Sequence, residues 1–232
     1  PMQYTDTLRD ATTIENPAYT RTDFLQKTYL HLFGAIAAFV ALEVALFQSG
    51  LAAAIGGTLA QSWLLTLGGF MVVGWLGSYL AHRVESLPMQ YAGLGLYVLA
   101  EALIFTPILV LAVQFSDASV LPNAIALTLG GFAVLTGIVA YSGVDFSFLR
   151  AFVLFGGIAA LVAIVASLLF SITLGFWFSL AMVVFAAGTI LFQTSAVIRE
   201  YDDTQYVAAA LGLFASVALF FYYILMIFVN EE

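Results

Sequence analysis

The sequence predicts an all-α integral membrane protein, a bundle of seven transmembrane helices, and three observations carry that prediction. Charged residues make up 9% of the chain and hydrophobic ones 63%, whereas a soluble domain is about a quarter charged. The apolar residues gather into seven runs of roughly 20, the length a helix needs to cross a bilayer. The six basic residues, laid on a seven-span path, all fall on one side. With a mean hydropathy of +1.06, the chain has more apolar surface than a soluble fold can cover, because much of any globular chain stays near water.

Taken in order, Pro1 before Met2 reads as the remnant of a cleaved tag. Residues 1–27 read as a polar, loosely structured cytoplasmic tail, with Pro17 as a breaker. The transmembrane domain runs over 28–229, with spans at about 28–48, 63–82, 91–115, 121–141, 150–170, 173–198 and 207–229. Residues 51–60 are too few to cross and read as a helix extension or an interfacial segment. Connections at 84–90, 116–120, 142–149 and 200–206 are short, and spans five and six are separated only by 171–173. If that gap were helical, the count of seven would fail. Residues 230–232 form an extracytoplasmic end.

Orientation follows from the basic residues. Arg9, Arg21 and Lys27 precede span one; Arg83, Arg150 and Arg199 follow spans two, four and six. The positive-inside rule makes that side cytoplasmic. The short tail and loops suit a bacterial inner membrane. Trp63 and Trp177 open spans two and six at the opposite boundary, where aromatic belts sit. Lipid supplies no hydrophobic drive for helix association, so small residues should mark the contacts. Gly74 with Ser78, and Gly156 with Ala160, read as packing faces.

Composition also excludes chemistry. The chain has no cysteine, hence no disulfide, thiolate nucleophile or cysteine metal site, and a net charge of −8 argues against nucleic acid. No His-Glu-x-x-His zinc motif occurs. Neither histidine, His31 or His82, lies deep enough for rhomboid-type serine chemistry, and both sit near the cytoplasmic ends of spans one and two. The one lysine, Lys27, precedes the first span, so a retinal Schiff base has no partner. No aspartate falls within a span, which removes an intramembrane aspartyl protease. The chain reads as no enzyme, with no cofactor.

Ionisable groups inside a membrane are costly and are functional candidates by default. Two carboxylates fall within spans, Glu43 in span one and Glu101 near the middle of span three. Each reads either as a proton- or cation-responsive group facing the bundle interior or as a neutral, hydrogen-bonded structural carboxyl. Gln193 and Ser216 are polar groups in spans six and seven, and Asp145 sits at a cytoplasmic loop.

Four segments together resemble the Bax inhibitor family, also called TMBIM. They are Phe24-Leu25-Gln26-Lys27-Thr28-Tyr29 before span one; Tyr97-Val98-Leu99-Ala100-Glu101-Ala102 with Thr106-Pro107-Ile108-Leu109; Asp145-Phe146-Ser147-Phe148-Leu149; and Tyr206-Val207-Ala208-Ala209-Ala210-Leu211-Gly212-Leu213-Phe214. Leu191-Phe192-Gln193-Thr194-Ser195 and Ser216 resemble the bacterial YccA branch. The resemblance implies a seven-helix bundle with span seven central. It also implies a pH-sensitive calcium leak and, for the YccA branch, restraint of the membrane-anchored AAA protease FtsH. Channel-type members carry an aspartate pair that shares a proton and gates the pore; here those positions are Gln193 and Ser216, which do not ionise. Glu101 and Asp145 match the family's glutamate and loop aspartate. The leading expectation is therefore a protease modulator. The alternative is a calcium or proton leak lined by Glu101, with Glu43 and Asp145 as further ion contacts, and a third reading is a proton-coupled transporter.

Overall fold

The computed structural model describes residues 17–83 and 85–230, with side chains described from residue 21. Within these residues the chain forms eight helices: α1 Pro17–Gln48, α2 Leu51–Gln61, α3 Trp63–Ala81, α4 Leu87–Gln114, α5 Val120–Ser142, α6 Leu149–Phe170, α7 Phe176–Arg199 and α8 Tyr206–Asn230. Seven are long and apolar enough to cross a membrane, all but α2. The expected spans agree with these helices closely, because a bilayer of fixed thickness sets the length of each apolar run. The sharpest departure is at the start. Helix α1 begins at Pro17, and residues 17–27 are helical, where a loose tail was expected. Proline fits the first turn of a helix, whose N–H groups have no intrahelical acceptor, so Pro17 is compatible with the helical backbone described from that residue on. An i,i+4 pair between Lys27 and Asp23 at 2.5 Å supports the added turns. The expectations for residues 1–16, Glu231 and Glu232 lie outside the described residues.

Backbone geometry explains where the runs break. Gly50 lies at φ +76° between α1 and α2, a left-handed conformation that costs glycine little. The short gap between the fifth and sixth spans is a true break. Ser171 caps α6 in the left-handed region, and α7 starts only at Phe176. Helix α2 is a separate short helix packed on the bundle: Ala52 and Gly56 are buried, and Gly56 packs against the backbone of Thr106 and Pro107 on α4. Pro107 leaves one α4 carbonyl without its helical donor, which a membrane helix tolerates where protein covers it.

Helix α8 is the axis. It packs against α1, α3, α4, α5 and α7, and its residues from Val207 to Phe214 are all buried. Two apolar clusters stack along it. One joins Phe24, Leu32, Val98 and Val197 to Leu213 and Phe214; the other joins Phe105, Leu109, Ala124 and Ile190 to Phe220 and Ile224. Phe39 packs on both, edge-on to Phe105 at 5.1 Å and to Phe214 at 6.3 Å.

Small residues set the closest helix approaches, though not always those expected. Gly74 does face Tyr97, but α3 and α4 come nearest at Gly77 and Gly93. A Cβ on Gly93 would lie 2.5 Å from the Gly77 carbonyl oxygen. Helix α6 has no buried residue and rests on α7 through reciprocal ring-on-glycine contacts. Phe185 covers Gly156, Phe152 covers Gly188, and the two rings lie 5.6 Å apart. Trp177 is exposed as a belt residue should be, whereas Trp63 turns inward onto the α4–α8 cluster.

Candidate functional site

Charged side chains concentrate at one end of the bundle, here called the basic end. Arg21 reaches from α1 to the α7–α8 connection, donating to the Tyr201 carbonyl at 2.7 Å and the Val197 carbonyl at 2.6 Å. It also pairs with Asp203 at 2.9 Å and lies over the Phe24 ring. Arg150 at the start of α6 pairs with Glu200. Arg199 donates to the Gly143 and Val144 carbonyls at 2.9 and 3.3 Å, which have no helical donor of their own at the end of α5. Arginine suits these tasks because its rigid fork can serve several acceptors at once.

Asp145 belongs to this lattice. Its Oδ1 accepts from the Ser147 backbone N–H at 2.9 Å and from the Ser195 hydroxyl at 3.2 Å, and Ser195 in turn accepts from the Phe146 N–H at 3.0 Å. The Ser147 N–H, ahead of the weaker contributions of the two serine hydroxyls and of Arg199, holds the Asp145 carboxyl below the usual aspartate range. Asp145 is therefore a turn-forming residue that ties the α5–α6 loop to α7. In the sequence Ser195 entered only as the end of the 191–195 segment, where one serine among many carries no signal of a partner 50 residues away.

His31 and His82 are committed to local contacts. His31 Nδ1 meets the Lys27 carbonyl at 2.6 Å, its Nε2 meets the Tyr91 hydroxyl at 2.9 Å, and its ring also packs on Tyr206. His82 Nδ1 meets the Ser78 carbonyl at 2.7 Å. Among the described residues no group of three metal-ligating side chains comes together.

Gln193 and Ser216 are brought to one place, the α7–α8 contact. A Cβ on Gly212 would lie 2.9 Å from Gln193 Nε2, so the amide rests directly on the α8 backbone. One turn on, Ser216 donates its hydroxyl to the Gly212 carbonyl at 2.9 Å. Both positions are polar and neutral, and Gly212 makes room for the glutamine.

The two membrane glutamates differ. Glu101 is buried on α4, one helical turn after Tyr97 and near Tyr222 of α8. The i,i+4 spacing of Tyr97 and Glu101 was readable in the sequence; Tyr222 was not. Glu43, 6% exposed, has neither carboxylate oxygen hydrogen-bonded. It lines a groove of about 560 Å³ between α1, α4, α5 and α8, and Glu101 does not line that groove. The structure therefore does not join the two glutamates by a hydrogen bond.

Comparison with known proteins adds two findings. A curated, uncharacterised protein of Pseudomonas aeruginosa is 35% identical over 111 residues, 47% of this chain and 50% of that protein. The chain thus spans about half the length of the curated relative it matches. The family model described as "Inhibitor of apoptosis-promoting Bax1" matches residues 21–232. That match takes in all seven spans, the Asp145 loop and the Gln193–Ser216 contact, and the chain belongs to the Bax1-inhibitor family of membrane proteins.

Proposed function

We propose that this chain is a non-enzymatic regulator of a membrane-anchored AAA protease of the FtsH type, as in the YccA branch. Its N-terminal segment and basic end face the cytoplasm of a bacterial inner membrane and meet the protease there. The observation that carries this reading is the neutral α7–α8 contact. Gln193 rests on Gly212, and Ser216 is bonded to the same turn. A gate that works by sharing one proton between two carboxylates needs ionisable groups at these positions, and neither side chain ionises. The basic end supports the reading from the other side. Arg21, Arg150 and Arg199 lock the loops into a fixed charged surface, which suits recognition by a soluble protease domain. The test is degradation of a membrane substrate by a co-reconstituted FtsH-type protease. Full-length chain should slow it, deletion of residues 2–20 should abolish the effect, and Glu101→Gln should leave it intact. Slowing that survives the deletion would overturn the assignment of the tail.

A second reading, a calcium or proton leak, is favoured by Glu101, a buried carboxyl on the helix that packs against the central α8. Flux in proteoliposomes between about pH 5 and 8, wild type beside Glu101→Gln, decides it. Flux that the substitution weakens supports the leak; flux no greater than that of empty liposomes removes it.

A further inference from the structure

We propose that the groove between α1 and α4 at the basic end holds one acyl chain of an anionic phospholipid, whose phosphate is taken by Lys27. The groove has a volume of about 700 Å³, within the roughly 300–1,000 Å³ typical of small-molecule sites. Its floor is built from small residues, Gly34, Ala38 and Ala41 on α1 and Gly95 on α4, all of them exposed. A Cβ added at Gly34 or Gly95 would meet no atom within 4 Å, so both glycines open onto space. Gly93, two residues before Gly95, does the opposite and lies against the α3 backbone. The small residues of this face therefore leave a trough that no described helix fills.

Length and charge choose the occupant. The lining runs along α1 from Leu30 to Leu42, about 18 Å at about 1.5 Å per residue. That is little more than half of the ~30 Å hydrocarbon core, the depth of one leaflet. A partner helix crossing the membrane would need a trough nearly twice as long, whereas an acyl chain of one leaflet fits this one. At the basic end the trough is closed by His31 and Tyr91, whose Nε2 and hydroxyl lie 2.9 Å apart. The Lys27 carbonyl can only accept from His31 Nδ1, so in the neutral ring Nε2 takes the tyrosine's hydrogen. The two side chains satisfy each other and form an amphipathic boundary of the kind found at headgroup level. Lys27 sits one turn beyond His31, its Nζ 5.7 Å from the centre of the Tyr206 ring on which His31 also packs. An ammonium therefore stands where the phosphate lies once its acyl chain enters the trough. Lys27 also pairs with Asp23, but both side chains are about half exposed, and an exposed pair of this kind holds weakly. The ammonium has three N–H donors, enough to serve a phosphate and Asp23 together. A zwitterionic head gains less, because a basic residue near the surface favours anionic lipid.

The proposal is independent of the protease and leak readings. The experiment uses the full chain in dodecylmaltoside with a phosphatidylglycerol probe carrying a diazirine in its acyl chain, and maps labelled peptides by mass spectrometry. Saturable labelling is expected on α1 and α4 along the trough. Phosphatidylglycerol should displace the probe about fivefold more effectively than phosphatidylcholine of the same chains, the preference that one lysine near the headgroups gives. Gly34→Leu and Gly95→Leu fill the trough from either wall, and with no atom within 4 Å of the first added carbon both variants should fold. Each should cut labelling of these segments by about fivefold or more, as an overfilled site does. Lys27→Gln should leave the labelling in place and bring the two lipids to equal displacement. Melting temperature and elution profile report folding for each variant, and the lipid preference of the wild type decides the matter if a variant does not fold. Equal displacement by the two lipids in the wild type, a preference that survives Lys27→Gln, unchanged labelling in folded Gly34→Leu and Gly95→Leu, or labelling confined to other surfaces would each overturn the proposal. So would a trough closed to the probe and crosslinked to a second copy or to another membrane helix.

Discussion

Helices α6 and α8 would be hard to rank by apolarity alone, and the ranking comes out the wrong way round. Helix α6 is the more hydropathic of the two. Yet it buries no residue, whereas α8 buries more than half of its apolar stretch and touches five other helices. In water the more apolar helix would go inside. In lipid, hydrocarbon and leucine are equally comfortable outside, so burial is decided by packing and by polar side chains that need protein partners. Helix α8 carries the small residues Ala208, Ala209, Ala210 and Gly212 and the polar Ser216, all buried. Helix α6 makes one seam, two rings on two glycines.

Substitutions can break that contrast. The largest effect is expected from Gly212→Leu in α8, whose side chain would be driven into Gln193, 2.9 Å from the first added carbon. Overpacking of this kind costs about 3 kcal/mol, read as a fall in melting temperature in detergent or loss of folded protein. Gly212→Ala should cost about 1–2 kcal/mol, and adding Gln193→Ala should restore some of it. A double-mutant cycle showing no coupling between the two positions would mean that the glutamine does not rest on α8 in the membrane.

The α6 seam should give less. Phe152→Ala removes the ring over Gly188 and its pair with Phe185, a loss of about 1–2 kcal/mol from the aromatic pair and its packing. Crosslinking between α6 and α7 should fall while the contacts of α8 persist. Val162→Ala, on the outward face of α6, should change stability by less than about 0.5 kcal/mol; a larger change would show that a further surface covers α6. The smallest effect is expected at the Asp145 loop. Its carboxyl is held below the ordinary aspartate value by the Ser147 N–H, so it favours the folded loop above that value, about 3.9. The contribution is lost as pH falls through the depressed folded value. Hydrogen exchange at Phe146 and Ser147 should rise in that acid range in the wild type, and Asp145→Asn should show the raised exchange already at neutral pH.

The gap between α6 and α7 shows how much the chain alone could say. Its three residues at 171–173 looked almost too few to separate a pair of spans; the left-handed Ser171 ends α6, and the break runs on over 171–175 before α7 starts at Phe176. Nearer the N-terminus, residues 17–27 looked like part of a loose tail and are helical. Within the site, Glu101, Glu43 and Asp145 stood out as charges in apolar or loop settings, and Tyr97 could be placed beside Glu101 from helical spacing. Arg21 gave no sign of its partners Val197, Tyr201 and Asp203, nearly the whole chain away. Nothing in the pattern marked Glu43 as the carboxylate whose two oxygens are buried without a hydrogen-bond partner.

The amino-acid sequence by itself determined seven runs long and apolar enough to cross a membrane, with the basic residues laid on one side of that path. Bilayer thickness and the cost of moving charge across it act on every span separately, so each run can be read without the others. Only the tertiary structure decided where glycines let backbones meet and which buried carboxylate is left without a hydrogen bond. Those outcomes depend on pairs of surfaces, and a surface in lipid has no hydrophobic bias to announce which way it turns.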